Sequence, residues 1–230
     1  MKEQVLEIVY EDNHLLAVNK KPRDIVQEDI TGDVSLELLV KKYLKEKYQK
    51  QGEAFIGVIH RIDRPVSGLV LFAKTSKALT RMNEMFKKGE VVKIYKAIVQ
   101  NEPSMEKGQL THYISRNTKT NKSYAHNEEV KDSKKGVLSY KLLKKSDNYF
   151  LLEINLETGR HHQIRCQLAT IGCAIKGDLK YGAPRSNKDG GICLHSFKIS
   201  FLHPVKKEMV VITAPVPDDP LWKYFSNIEN

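Results

Sequence analysis

The sequence predicts an α+β fold: a mixed, mainly antiparallel sheet in two lobes that share a central cleft, with flanking helices. Two observations carry this expectation. Segments of β-branched or alternating composition outnumber segments of helical periodicity, and the two kinds do not alternate as a doubly wound parallel sheet requires. No internal repeat at a period of roughly 20 to 50 residues and no flexible linker interrupts the 230 residues, so residues 1–230 are expected to form a single domain. A chain of this length can bury roughly 70% of the surface that its unfolded form exposes, enough for a substantial core.

Taken in order, residues 5–10 and 15–19 read as two short strands around the turn-forming Asp12 and Asn13, which predicts an opening hairpin. Leu36, Leu39, Val40, Tyr43 and Leu44 then recur at helical spacing behind Asp33 or Ser35 as N-cap, giving an amphipathic helix to about Lys50. Residues 70–73 form a buried-strand candidate. Residues 76–88, with Leu79, Met82 and Phe86, predict a second helix stopped by Gly89. Strands dominate afterwards, over residues 91–99, 109–114, 137–143 and 149–156. A third helix is expected over residues 161–170, ended by Gly172. A polar, glycine-rich loop at 183–191 precedes two last strands near 194–202 and 208–213.

Composition removes several classes of function. The longest apolar run, residues 69–73, is far short of the roughly 18 residues of a membrane span. Residues 1–12 lack the apolar block and cleavage site of a secretory signal, so a cytoplasmic protein with no membrane partner is expected. Cys166, Cys173 and Cys193 form no CxxC pair and no even-numbered framework, which argues against disulfides and against a cysteine zinc site. The adjacent His161 and His162 lack the spacing that sets two ligands on one helical face, so neither a metal nor another cofactor is expected.

The 38 Lys+Arg against 28 Asp+Glu leave a net charge of +10. That excess is concentrated: residues 74–96 carry seven positive and two negative side chains, and residues 115–145 carry nine and three. A polyanion gains counterion-release free energy on such surfaces, which makes nucleic acid the first expected partner and an anionic membrane the second, against simple solubility.

Three segments are dense in functional side chains: His60-Arg61-Ile62-Asp63-Arg64, Lys93-Ile94-Tyr95-Lys96, and Thr158 to Arg165. In the first, two arginines flank a carboxylate, an arrangement that either organises a reactive acid or merely ties a loop together. The His-Arg-x-Asp string differs from a kinase catalytic loop by the intervening Ile62, and no glycine-rich nucleotide loop accompanies it. A glycosidase needs a second cooperating carboxylate, and nothing positions Glu157 for that task.

Residues 60–74, HRIDRPVSGLVLFAK, closely resemble the signature of the RluA-type pseudouridine synthases, HRLDxxTSGLLLFAK. KIYKAIV at 93–99 is similar to that family's K-x-Y-x-A-x-V stretch, and residues 156–182 are similar to its TGRxHQIR…GDxxYG segment. Residues 19–22, 194–195 and 201–204 add further likeness to its N-K-P, LHA and F-x-HP elements, in the family's order and spacing. The chain departs from the pattern at Val66, Asp24, Ala174 and Ser196, where the family usually has Thr, Gly, Pro and Ala. With only a short segment ahead of these motifs, a stand-alone catalytic domain without a small S4 domain is expected.

The resemblance implies the pseudouridine synthase fold with an RNA-binding cleft, and isomerisation of a specific uridine in RNA without cofactor. Ribosomal RNA is slightly favoured over transfer RNA, and a monomer is expected. It further implies that Asp63 is the nucleophile, that Arg165 pairs with it and keeps it ionised, and that Tyr95 packs on the flipped uracil near C5. Arg61 becomes a candidate wedge for the vacated stack, and His60, Arg64, Lys93, Arg160, His162 and Gln163, with the Lys-rich segment 116–145, complete the expected RNA-binding set. Two other readings stand beside it: a non-catalytic RNA-binding or ribosome-associated module of the same fold, and an RNA N-glycosidase that releases free base. A binding module needs phosphate contacts but has no use for a buried nucleophile with a base-side tyrosine.

Overall fold

The structure, a computed structural model, describes residues 6–227. Among them are eleven strands and four α-helices, which makes the protein α+β. The chain divides into two compact units, one built from residues up to Val91 together with Ser196–Pro215, the other from Val92–His195 and the residues after Pro215.

Unit one opens with β1 (Ile8–Glu11) and β2 (Leu15–Lys20), an antiparallel hairpin. Val5, where the sequence reading starts this hairpin, lies outside the described residues. Asp12 makes the turn: its Oδ1 accepts from the backbone N–H groups of His14 and Leu15, both at 2.8 Å. β2 pairs antiparallel with β4 (Ser67–Ala73), from Leu15 opposite Ala73 to Lys20 opposite Gly68. The two-residue β3 (Gly57–Val58) also pairs with β4.

Strand alternation then sorts the side chains of β2 and β4 into two cores. Leu16, Val18, Val70 and Phe72 pack with Leu36, Val40 and Leu44 of α1 (Leu36–Lys47). Leu15, Ala17, Leu69 and Leu71 pack with Ala78 and Met82 of α2 (Ser76–Lys88), joined by Ile199, Phe201, Val210 and Ile212. With a core on each side, every residue of β4 is buried, which is why it reads as an unbroken apolar run. Helix starts follow local chemistry. Ser35 Oγ accepts from Leu38 N at 3.3 Å and Thr75 Oγ1 from Ala78 N at 3.2 Å, and α2 ends at Gly89, at φ 74.

Unit two is an antiparallel sheet in the order β5 (Val92–Val99), β9 (Phe150–Leu156), β8 (Lys134–Lys145), β6 (Lys107–Asn117), β7 (Lys122–His126). α3 (Gln163–Thr170) contributes Cys166 to a small core with Ile114 and Tyr181. α4 (Pro220–Asn227) buries Trp222 and Phe225. β10 (Leu194–Leu202) starts in unit two and continues into unit one, where it pairs with β11 (Met209–Thr213).

β3, β7 and α4 go beyond the sequence expectation. β7 reads Lys-Ser-Tyr-Ala-His, with no β-branched residue, and α4 is a short helix behind Pro220, with Asp219 Oδ1 accepting from Leu221 N at 2.9 Å. α3 starts two residues later than expected because His162 sits in the left-handed region at φ 52. The three cysteines form no disulfide.

Candidate active site

In unit one, Asp63 lies in the loop between β3 and β4, and the loop is tied down through its backbone. The Arg64 carbonyl accepts from Arg23 N–H at 2.9 Å and from Lys20 Nζ at 2.9 Å, and Val66 N–H donates to the Asp63 carbonyl at 3.0 Å. Arg23 adopts φ 75 to reach its partner. Just beyond, Gly68 has φ +107, and a Cβ there would stand 2.3 Å from the Ser196 carbonyl oxygen, so this close approach requires glycine.

The side chains flanking Asp63 turn to other partners in this unit. Arg61 is exposed, and its Nη1 donates to Gln27 Oε1 at 3.4 Å. Arg64 forms an ion pair with Asp33. His60 accepts from Leu71 N–H at Nε2, 3.1 Å, and stacks on Phe86 with ring centroids 5.2 Å apart. The cation facing the carboxylate inside the unit is one that sequence reasoning missed. Lys20 is 1% exposed, and burial pushes its amine down to about 7, against the opposing pull of Asp24 and Asp63 and with help from the Arg64 charge. A signal for it exists: Lys20 follows Leu16 and Val18 at strand spacing and therefore shares their buried face.

In unit two, Tyr95 stands on β5 opposite Ile154 of β9 and is 7% exposed. Lys93, two residues earlier on the same strand, has its amine pushed down by burial and then by the charge of Arg160. Arg160 is exposed and donates from Nε to the Lys135 carbonyl at 2.9 Å.

Arg165, on α3, is 5% exposed. Asp178 holds it at two points, Nε to Oδ2 at 2.7 Å and Nη2 to Oδ1 at 2.8 Å, which fixes the plane of the guanidinium. The Tyr181 ring lies 5.0 Å from the guanidinium carbon. The Tyr181 hydroxyl is itself fixed: it accepts from Ser123 N–H at 2.8 Å and lies 2.8 Å from His162 Nδ1. Burial, followed by the charges of Arg165 and its neighbours, pushes the His162 imidazole down to about 2, so the ring beside the tyrosine hydroxyl is neutral.

His162 and Gln163 are thus interior residues whose polar atoms shape the turn into α3. Gln163 Oε1 accepts from Thr158 Oγ1 at 2.8 Å and from Arg160 N–H at 3.0 Å, and its amide donates to the Val137 carbonyl at 3.1 Å. Asp178, Tyr181 and Ser123 are further members that the sequence did not single out. Asp178 and Tyr181 stand in the Gly-Asp-x-x-Tyr-Gly string, whose pattern says nothing of a partner thirteen residues back.

Among the described residues, no group of three or more His, Cys, Asp or Glu is arranged to hold a metal ion, and no helix is long and apolar enough to cross a membrane.

A family model described as RNA pseudouridylate synthase matches residues 14–170. The chain is 32% identical over 216 residues to an uncharacterized RNA pseudouridine synthase, YlyB, of Bacillus subtilis, covering 93% of this chain and 70% of that protein. It is also 32% identical over 226 residues to ribosomal large subunit pseudouridine synthase D of Zymomonas mobilis, with the same coverage of 93% and 70%. Human RNA pseudouridylate synthase domain containing 4 superposes with a TM-score of 0.78 at 21% identity, covering 95% of this chain and 92% of that one, a likeness of fold.

Proposed function

The chain belongs to the RNA pseudouridylate synthase family and converts uridine in RNA to pseudouridine, and from that premise we propose that Asp63, Tyr95 and Arg165 carry the reaction. Asp63 is the nucleophile: its carboxylate adds to an electrophilic carbon of the target nucleotide and later leaves, dividing one hard step into easier ones. The bond from C1′ to N1 breaks, the uracil rotates, and C5 bonds to C1′. The proton on C5 then departs while N1 ends protonated, so the product is an isomer of the substrate. Tyr95 packs on the uracil with its phenol near C5, and Arg165 supplies a permanently charged, immobile guanidinium for the anionic groups of the reaction.

The observation that carries this reading is the burial of Arg165 against Asp178 and Tyr181. A module that only grips phosphates needs cations at its surface, whereas a guanidinium 5% exposed and fixed in its plane is suited to a single reacting group. Exposed Arg61 serves as the wedge in the vacated stack, and Lys93, Arg160 and the Lys-rich segment 116–145 contact the backbone. The relatives named as ribosomal large subunit synthases support ribosomal RNA as the target, and the same reading takes the enzyme to act as a cytoplasmic monomer.

The test is Asp63→Asn. Pseudouridine formation should fall by at least ~10³-fold with RNA affinity nearly unchanged, because the amide keeps the shape but is no nucleophile. Substantial remaining turnover, or release of free uracil from an abasic chain, overturns the assignment. Mapping pseudouridine across total RNA of a strain lacking this gene identifies the target.

A further inference from the structure

Lys20 is the feature of unit one that neither packing nor surface charge explains. It closes β2 on the face of Leu16 and Val18 and is among the largest fully buried side chains of the described residues. Burying an ammonium is costly, and a methionine would fill a similar volume without that cost. At 1% exposure it is no phosphate contact either. Its Nζ donates to two backbone carbonyls, those of Lys21 and Arg64, each at 2.9 Å. The carboxylates of Asp24 and Asp63 and the guanidinium of Arg64 act on it through space.

We propose that Lys20 is a positioning residue for Asp63: its charged Nζ holds the Arg64 carbonyl, and with it the backbone directly after Asp63, while its charge faces the carboxylate. This rests on the reading of Asp63 as the nucleophile. The Arg64 carbonyl is shared with Arg23 N–H, so Lys20 joins the end of β2 and the turn after it to the Asp63 loop at one atom. A charge-assisted hydrogen bond is roughly twice as strong as a neutral one, so the hold depends on the proton. The groups that face Lys20 set when that proton leaves. Burial lowers the amine from its ordinary 10.5 to about 7, Asp24 and Asp63 oppose the fall, and Arg64 adds to it. Lys20 therefore changes from ammonium to amine near neutrality, and the grip on the loop weakens as pH rises.

The experiment follows single-turnover pseudouridine formation by the full chain on a structured RNA between pH 6 and 9. The wild type should lose roughly 3- to 10-fold in rate with an inflection near 7, at unchanged RNA affinity. Lys20→Met should start at the lower rate and show no inflection, with the salt dependence of RNA binding unaltered. Lys20→Arg, permanently charged, should keep the inflection out of this range. Stability gives a second readout. Through the window from about 7 to about 10 the unfolded chain holds a proton that the folded chain has released, so the wild type should gain stability relative to Lys20→Met as pH rises.

A flat wild-type profile overturns the proposal without any variant, and so does a Lys20→Met enzyme that keeps the inflection or loses RNA affinity in place of rate. Asp63→Asn separates the two ideas: if it remains active, the nucleophile assignment fails whatever Lys20 does, and if it is dead while the Lys20 profiles coincide, only the positioning role fails.

Discussion

Asp63 and Arg165 are held in place by opposite means. The Asp63 loop is fixed through its main chain, by the Arg23 N–H, the buried Lys20 amine and the turn bond from Val66. Arg165 is fixed through its side chain, by the Asp178 carboxylate and the Tyr181 ring, the latter anchored by Ser123 and His162. The difference follows from where each residue sits. A helix already determines the position of a Cα, so Arg165 needs only orientation. A loop determines neither, so its backbone must be pinned by its neighbours, and the residues beside it, Arg23 and Gly68, take up left-handed dihedral angles. Main-chain fixing restricts which residue a position can hold, while in a side-chain network each partner carries its own share, the charged one the largest.

Three substitutions probe that contrast. Asp178→Ala should have the largest effect, because it removes the carboxylate that holds a guanidinium 5% exposed at two points. Breaking such a pair costs about 3–5 kcal/mol, read as a lowered midpoint of chemical unfolding, with activity lost in the same variant. Gly68→Ala comes next and touches no charge at all. It forces a side chain into φ +107 and against the Ser196 carbonyl oxygen, for about 2–3 kcal/mol by the same measurement. A cost well below 1 kcal/mol would mean that the backbone after Asp63 is more forgiving than unit one's geometry indicates. Tyr181→Phe should be the mildest, about 1–2 kcal/mol, because the ring stays beneath Arg165 and only the bonds to Ser123 and His162 go. If Tyr181→Phe abolishes activity while the protein stays folded, the hydroxyl has a task beyond anchoring.

The same contrast marks what the sequence could reveal. β4 and α2 were legible because two covering cores and two capping residues leave patterns within a dozen neighbouring positions. β7 was hidden because its polar, unbranched residues owe their extended form to pairing with β6, a tertiary effect. Asp63, Tyr95 and Arg165 were singled out through motif likeness, which records residue types. The partners that hold them depend on distance in space: Asp178 was inside a quoted motif, yet nothing in its spacing tied it to Arg165. Lys20 was legible in principle from alternation with Leu16 and Val18, but its charge pointed to the surface. His162 and Gln163 entered the expected RNA-binding set through the resemblance, and their burial, which depends on packing in space, is not written in the motif.

The discontinuity of unit one sets a timetable for synthesis. Ile199, Phe201, Val210 and Ile212 complete the core that Leu15, Leu69, Leu71 and Met82 begin, yet the ribosome must first make everything between Val91 and Ser196. At roughly 5 to 20 residues per second, that interval lasts on the order of 5 to 20 seconds. During it one apolar side of the nascent strand β4 is covered by α2 alone, while α1 and its partners can already close the other. The first-made segment therefore waits for strands made about a hundred residues later, and the growing chain presents a half-covered apolar face that chaperones can engage until those strands emerge.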